Sequence, residues 1–241
     1  MTLSTIRRHL NVRGLAVVGM AIGLVAASGC KVDNALGPSN NQAIVQFINA
    51  ANSYATADLF VDGVDALSGL PYGQGTSIYV NAPTTPRSFA IRSAPDTTTL
   101  ASSQLVVANN GTYAFILTQH TAGAGLIVLP DTVSSPPVNS IGLRIVNVAP
   151  AAGVVDVYVT GADSTALTTP VAANIPFEGV MNYQYIGVGA VHLVVTAAGT
   201  KTVLLDVNAT QLTAGQVRTI VVIDADGGGL PLTWLGIPDV G

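Results

Sequence analysis

Along most of the chain, apolar and polar residues alternate with a period of two. Met181, Tyr183 and Tyr185 are interleaved with Asn182 and Gln184, and Val191, Leu193 and Val195 with His192 and Thr196. Such alternation puts one side of a strand in a core and the other toward solvent. Val, Ile and Thr dominate these runs, as pleated half-buried surfaces favour. Turn residues separate them, so strands are expected near 43–49, 57–62, 76–80, 87–92, 103–108, 112–118 and 125–129. A second series is expected near 142–148, 154–160, 181–186, 190–196, 201–207, 217–223 and 230–235. Seven short strands in roughly 100 residues predict an immunoglobulin-like β-sandwich.

The two series are copies of one pattern. Phe47-Ile48-Asn49-Ala50-Ala51 aligns with Ile145-Val146-Asn147-Val148-Ala149 at an offset of 98, and Ala57–Gly63 with Val155–Gly161 at the same offset. Leu70-Pro71-Tyr72 then matches Ile175-Pro176-Phe177, Gly111 matches Gly215, and Leu129-Pro130-Asp131 matches Ile237-Pro238-Asp239. The expected fold is all-β, two tandem immunoglobulin-like β-sandwich domains at 43–131 and 141–241, each owning its core. Residues 132–140 form a joint whose Pro136-Pro137 favours a semi-extended spacer.

The amino end departs from this pattern. Arg7, Arg8 and Arg13 precede an apolar run of 14 residues, Gly14–Ala27, and then Ser28, Gly29 and Cys30, the single cysteine of 241 residues. The run is shorter than the ~20 residues a spanning helix needs, and charged start, apolar middle and small-residue end are those of a secretory signal. Ala27-Ser28-Gly29-Cys30 resembles a lipobox, which implies removal of 1–29, lipidation of Cys30 and a tether over 30–42. Two or three acyl chains make membrane residence stable where one does not. Lys31 stands where an Asp could mark inner-membrane retention, so the outer membrane is expected in a host that has one.

Loss of the signal leaves six Lys and Arg against thirteen acids, a formal charge of −7. That balance, without a basic cluster, excludes nucleic acid as the expected partner. Charged residues make up only 9% of the chain, so the surface is largely uncharged.

The opening FINAANSYATADLFVDG, echoed as RIVNVAPAAGVVDVYVTG, the Pro-aromatic step and the closing LPD and IPD resemble domain-of-unknown-function family 4397, from about Ile44 to Asp239. The resemblance implies an extracytoplasmic bacterial domain, often tandem and often on lipoproteins, and supplies no catalytic residue. Asp58 and Asp156 fall on its most characteristic segment. A strand-start Asp is expected to accept a turn or edge N–H. Asn52-Ser53 stands where the second copy has Pro150-Ala151, which leaves that turn open.

Candidate chemistry is sparse. His120 lies in an expected loop and His192 on the polar side of a strand, and a nucleophilic triad would need one of them beside a hydroxyl and a carboxylate. No Gly-x-Ser-x-Gly elbow occurs. Two histidines with a lipidated cysteine make a zinc site unexpected. Asp224-Ala225-Asp226-Gly227-Gly228-Gly229 begins like a calcium loop, but Gly228 and Leu235 stand where ligands belong, so a hairpin turn is expected. Gly73-Gln74-Gly75 and Gly187-Val188-Gly189 are read as turns. Trp234 is expected inward with Leu230 and Leu232, leaving Tyr54 and Tyr72 as loop rings.

The sequence therefore predicts no catalytic, cofactor or metal site. It predicts a binding, adhesion or structural role toward an unknown protein or glycan of the envelope or extracellular space. A hydrolase with an unrecognised site and a carbohydrate-binding module are the alternatives. The hydrolase would show His120 or His192 in a cleft with a nucleophile and a carboxylate, the sugar binder two coplanar exposed rings.

Overall fold

The computed structural model describes residues 41–95, 98–132, 135–161 and 166–239. The signal at 1–29, Cys30 and the tether up to residue 40 lie outside the described residues.

The first half forms β1 (Gln42–Asn49), β2 (Thr56–Val61), β3 (Val64–Pro71), β4 (Gln74–Asn81), β5 (Arg87–Ser93), β6 (Thr99–Leu105), β7 (Thr112–His120) and β8 (Gly123–Asp131). The second forms β9 (Ser140–Asn147), β10 (Val155–Gly161), β11 (Ala172–Ile175), β12 (Gly179–Gly187), β13 (Gly189–Ala197), β14 (Val203–Leu212), β15 (Val217–Ile223) and β16 (Thr233–Asp239). Four four-stranded sheets result, ordered β4-β1-β7-β8 and β3-β2-β5-β6, then β12-β9-β15-β16 and β11-β10-β13-β14. The two halves repeat one topology, including a parallel pairing of β1 with β7 and of β9 with β15. These are two tandem immunoglobulin-like β-sandwiches of eight strands each. The expected seven become eight because β3 and β11 add one strand to each.

Local chemistry explains the joints. Asp62-Gly63, with φ of 50° and 81°, closes the β2–β3 hairpin, as an Asp-Gly pair in a two-residue loop does. The Ser88 N–H bond to Asp62 holds that carboxyl below the usual carboxylate range, with Arg87 adding to the effect. Both partners of that bond are at the surface, so it orders the turn more than it stabilises the fold. The turn after β1 keeps its geometry despite Asn52-Ser53: Tyr54 N–H donates to Ala51 O at 3.0 Å, and Ala152 N–H to Ala149 O at 3.1 Å. Asp58 accepts the Gly69 N–H, and Asp156 those of Asn174 and Gly199, the structural role expected of both.

Each sandwich has its own core. In the first, Phe47, Phe89 and Phe115 are fully buried, the last two with ring centroids 4.6 Å apart. In the second, Ile141, Leu143, Ile145, Val157, Leu193 and Val195 form the centre. Each such side chain contributes roughly 1.5–3 kcal/mol, which makes these cores the main source of stability. A third cluster joins the halves: Ile48, Ala50, Ala114 and Ile116 meet Val146, Val148, Val221, Ile223 and Ile237. The central strands of the two inner sheets, β1, β7, β9 and β15, are therefore buried on both sides, giving a stack of four sheets.

Two expectations about which way residues face, and one about which residues correspond, are corrected. A bulge between Met181 and Gln184 reverses the alternation in β12. Met181 enters the second core, whereas Tyr183 turns to the opposite side beneath Arg144 and Tyr185 is 48% exposed. Trp234 and Leu232 join the second core, but Leu230 precedes the strand and is 54% exposed. The left-handed residue before β7 is Asn110 (φ 58°), which corresponds to Gly215 (φ 81°), so Gly111 aligns with Gln216 and not with Gly215. In both halves the bond pattern fixes this: Gly111 N–H donates to Ala108 O, and Gln216 N–H to Thr213 O.

Candidate functional site: the face between the sandwiches

The third cluster pairs equivalent positions. Ile44 lies opposite Thr112 in the first half and Gly142 opposite Val217 in the second. Ile48 therefore corresponds to Val146, Ala50 to Val148 and Ile116 to Val221. The same surface is used twice, as in an isologous dimer fused into one chain.

Two turns clamp the edges of this face. From the first half, Tyr72 in the β3–β4 turn donates its hydroxyl to Asp224 O at 2.7 Å. Asp224 is itself buried and accepts the Ala151 N–H through Oδ1. The 224–229 segment is the expected turn, with Gly228 and Gly229 at φ of 80° and 79°. A Cβ on Gly228 would collide with Asn52 Nδ2, so this glycine lets the halves approach. Burial, aided by the Asp224 and Asp226 charges, pushes the Tyr72 hydroxyl far above the ordinary tyrosine value. Stability is expected to hold up to about pH 10, where an unfolded tyrosine ionises, and to fall as pH rises from there. The unfolded chain then releases a proton that the folded chain keeps. Tyr72→Phe should flatten this alkaline loss in unfolding followed by circular dichroism, and an unchanged slope would contradict the assignment.

The second half answers with the turn equivalent to Tyr72-Gly73, which is Phe177-Glu178. Phe177 meets the His120 ring edge-on at 5.5 Å between centroids. Glu178 Oε1 accepts the Thr118 hydroxyl at 2.5 Å and lies 2.9 Å from His120 Nε2. Gly125 makes room for this group: a Cβ there would overlap Thr118 Oγ1, His120 Nε2 and Glu178 Oε1. His120 stands out in the sequence as one of three histidines, whereas Glu178, 58 residues away, carries no local signal.

A hydroxyl, an imidazole and a carboxylate thus meet, in an order that differs from a nucleophilic triad. In a triad the imidazole lies between the other two and takes the hydroxyl proton. Here the carboxylate lies between them and holds both, and Thr118 is fully buried. The geometry suits a clamp. His192 bonds Asp206 at 2.6 Å across β13 and β14, in the other sheet of its sandwich. Among the described residues no group of three His, Cys, Asp or Glu could hold a metal ion, and no helix is long and apolar enough to cross a membrane. Tyr54 packs against the first core and Tyr72 lies at the interface, while the exposed rings Tyr79 and Tyr185 lie on separate sheets.

The two flanks of the face differ. On one, Arg144 Nε donates to Thr219 Oγ1 at 2.8 Å and its NH1 to Pro130 O at 3.2 Å, while its guanidinium lies 4.6 Å above the Tyr183 ring. Tyr183 in turn donates to Asp131 at 3.0 Å. On the other flank the counterpart of Arg144 is Gln46, and Ser77 is paired with it where β12 carries the bulge that delivers Tyr183. Small residues replace a ring, and a crevice of about 330 Å³ opens between β4 and β16. Gln46, Gln74, Gly75, Thr76, Ser77, Leu235, Gly236 and Ile237 line it, without one ionisable group.

Comparison with known proteins gives a family match over part of the chain. The model of the family described as Domain of unknown function (DUF4397) matches residues 43–158, from β1 into β10. No curated protein matches the chain. Among solved structures, it is similar to the carbohydrate-binding module CBMbc (family CBM26) of Eubacterium rectale Amy13K, in complex with maltoheptaose. That similarity has 11% identity and a TM-score of 0.25, covering 80% of this chain and 96% of that one. It is also similar to a candidate adhesin from Bacteroides ovatus, with 9% identity and a TM-score of 0.26, covering 81% and 95%.

Proposed function

We propose that the protein is a non-catalytic binding, adhesion or structural module of the bacterial cell envelope, a tandem of two family-4397-like sandwiches held to the membrane by lipid on Cys30. The observation that carries the non-catalytic reading is the Thr118–Glu178–His120 arrangement, in which one carboxylate oxygen engages both the hydroxyl and the imidazole. A base occupied this way is not aimed at a substrate, and the buried hydroxyl is not presented to one. The separation of Tyr79 and Tyr185 on different sheets favours a partner other than a stacked sugar.

The anchor and the absence of turnover are tested separately. Cys30→Ser is expected to abolish palmitate incorporation and to leave the chain uncleaved or released, because a hydroxyl cannot form the thioether. Label retained by the mutant would refute the anchor. Purified protein is expected to show no hydrolysis of ester, peptide or glycoside substrates. Turnover lost in His120→Ala or His192→Ala would refute the non-catalytic reading.

A further inference from the structure

Eight strands form sheet edges among the described residues. An exposed edge offers unpaired N–H and C=O groups, and proteins protect such edges with bulges, prolines or charges. Here β3, β6, β11, β12 and β14 carry register irregularities against their neighbours. β8 contains Pro130 and Asp131, and β16 contains Pro238 and Asp239. Only β4, Gln74-Gly-Thr-Ser-Ile-Tyr-Val-Asn81, has none of these and pairs in unbroken register over eight residues.

The direction of its free groups follows from one bond. Ala82 N–H donates to Asn41 O, so the amides of Gln74, Thr76, Ile78 and Val80 turn toward β1. Those of Gly75, Ser77 and Tyr79 turn outward. At the first two the side chains are small, and they border the crevice closed on its far side by Leu235 and Ile237.

We propose that β4 takes an extended, uncharged peptide segment of a partner protein as an added strand, with alternate side chains of that segment entering the crevice. The proposal rests on the reading of the protein as a binding module and names its partner class. Backbone bonds to Gly75, Ser77 and Tyr79 would supply attachment, and the crevice would supply selection. A charged side chain entering it would lose hydration with no counter-charge among the lining residues, so neutral hydroxylated or β-branched side chains are selected. The opening is not forced by the fold, since the equivalent flank is filled by Arg144 and Tyr183. No aromatic ring lines the crevice, which favours a peptide over a sugar.

The test uses the purified full-length chain in detergent and an acetylated, amidated nine-residue peptide of alternating Thr and Val. Binding is expected by fluorescence anisotropy. It should weaken at least tenfold when Asp or Lys replaces residues on one face of the peptide. N-methylation of one alternate set of peptide amides should abolish binding, and methylation of the other set should leave it intact. Ser77→Pro removes an outward amide without removing a β1 bond and should weaken binding at least tenfold at an unchanged unfolding midpoint. If that variant unfolds, Ser77→Lys serves the same purpose, with Ser102→Lys on β6 as the control that binds normally. Equal binding of both methylated sets, competition by neutral oligosaccharides, or dimerisation of the protein relieved by Ser77→Lys would each overturn the proposal. In a pull-down from the native envelope with wild type and Ser77→Lys side by side, a partner whose retention Ser77→Lys does not weaken would overturn β4 alone. No partner retained by either protein would overturn the binding-module reading itself.

Discussion

Ile48→Asp is expected to split the unfolding of this protein into two transitions. Ile48 is fully buried in the cluster between the sandwiches, against residues of β9 and β15, and belongs to neither sandwich's own core. A carboxylate there loses its hydration and finds no counter-charge in that cluster, at a cost of several kcal/mol. The inner sheets then gain by separating and hydrating the charge. Val45, Phe47 and Phe115 point the other way, into the first core, so each sandwich keeps its centre. Ile48→Ala should instead lower stability by about 2–5 kcal/mol and preserve one transition, because a cavity weakens the joint without repelling its two faces. Calorimetry and urea unfolding distinguish these outcomes. A single transition in Ile48→Asp at the original midpoint would mean that the third cluster contributes nothing. By the same argument, halves cut within 132–140 should retain secondary structure but associate, since each exposes this apolar face.

That face was written in the sequence in a form easily misread. β1, β7, β9 and β15 contain near-continuous apolar runs, such as Ala-Phe-Ile-Leu and Ile-Val-Val-Ile, which signal burial on both sides of a sheet. Taken only as sandwich strands, they give the correct fold and miss the stacking. Repetition at a fixed offset was legible because equivalent turns demand equivalent residues, as with Asp58 and Asp156. β3 and β11 were illegible for opposite reasons. β3 is mostly exposed and interrupted by Gly69, and β11 is four residues long, so neither shows a period. The bulge that turns Tyr183 toward Arg144 has no local sequence signal, and without it the closed flank cannot be told from the open one. Glu178 joins His120 only through packing of the two halves, a relation that no spacing rule encodes.

Asn49→Asp and Asn147→Asp should each destabilise one sandwich more than their near-identical shape suggests. Both asparagines are fully buried at the end of a central inner strand. Asn49 Nδ2 donates to Tyr54 O and Leu70 O, at 3.0 and 3.2 Å, while its Oδ1 accepts the Ala51 N–H. Asn147 repeats the arrangement with Gly153 O, Ile175 O and Ala149 N–H. Each amide ties the turn leaving its strand to the end of β3 or β11, and so holds the two sheets of a sandwich together at one corner. Aspartate keeps the acceptor but turns its second oxygen toward two carbonyls that it cannot satisfy. An uncompensated buried charge of this kind costs about 3–5 kcal/mol. Each of the two carbonyls also loses the amide donor. The introduced carboxyl is then protonated more readily in the folded chain than in the unfolded one. The deficit should be small below about pH 3.9 and widen as pH rises from there through the raised folded value. Protonation restores one donor toward the carbonyls, so low pH rescues the variant in part. Asn49→Ala, which removes the same bonds without adding charge, should show a deficit independent of pH. Thermal unfolding of wild type and the three variants across acid to neutral pH measures this, and parallel curves for Asn49→Asp and Asn49→Ala would show that the amide is not the clip described.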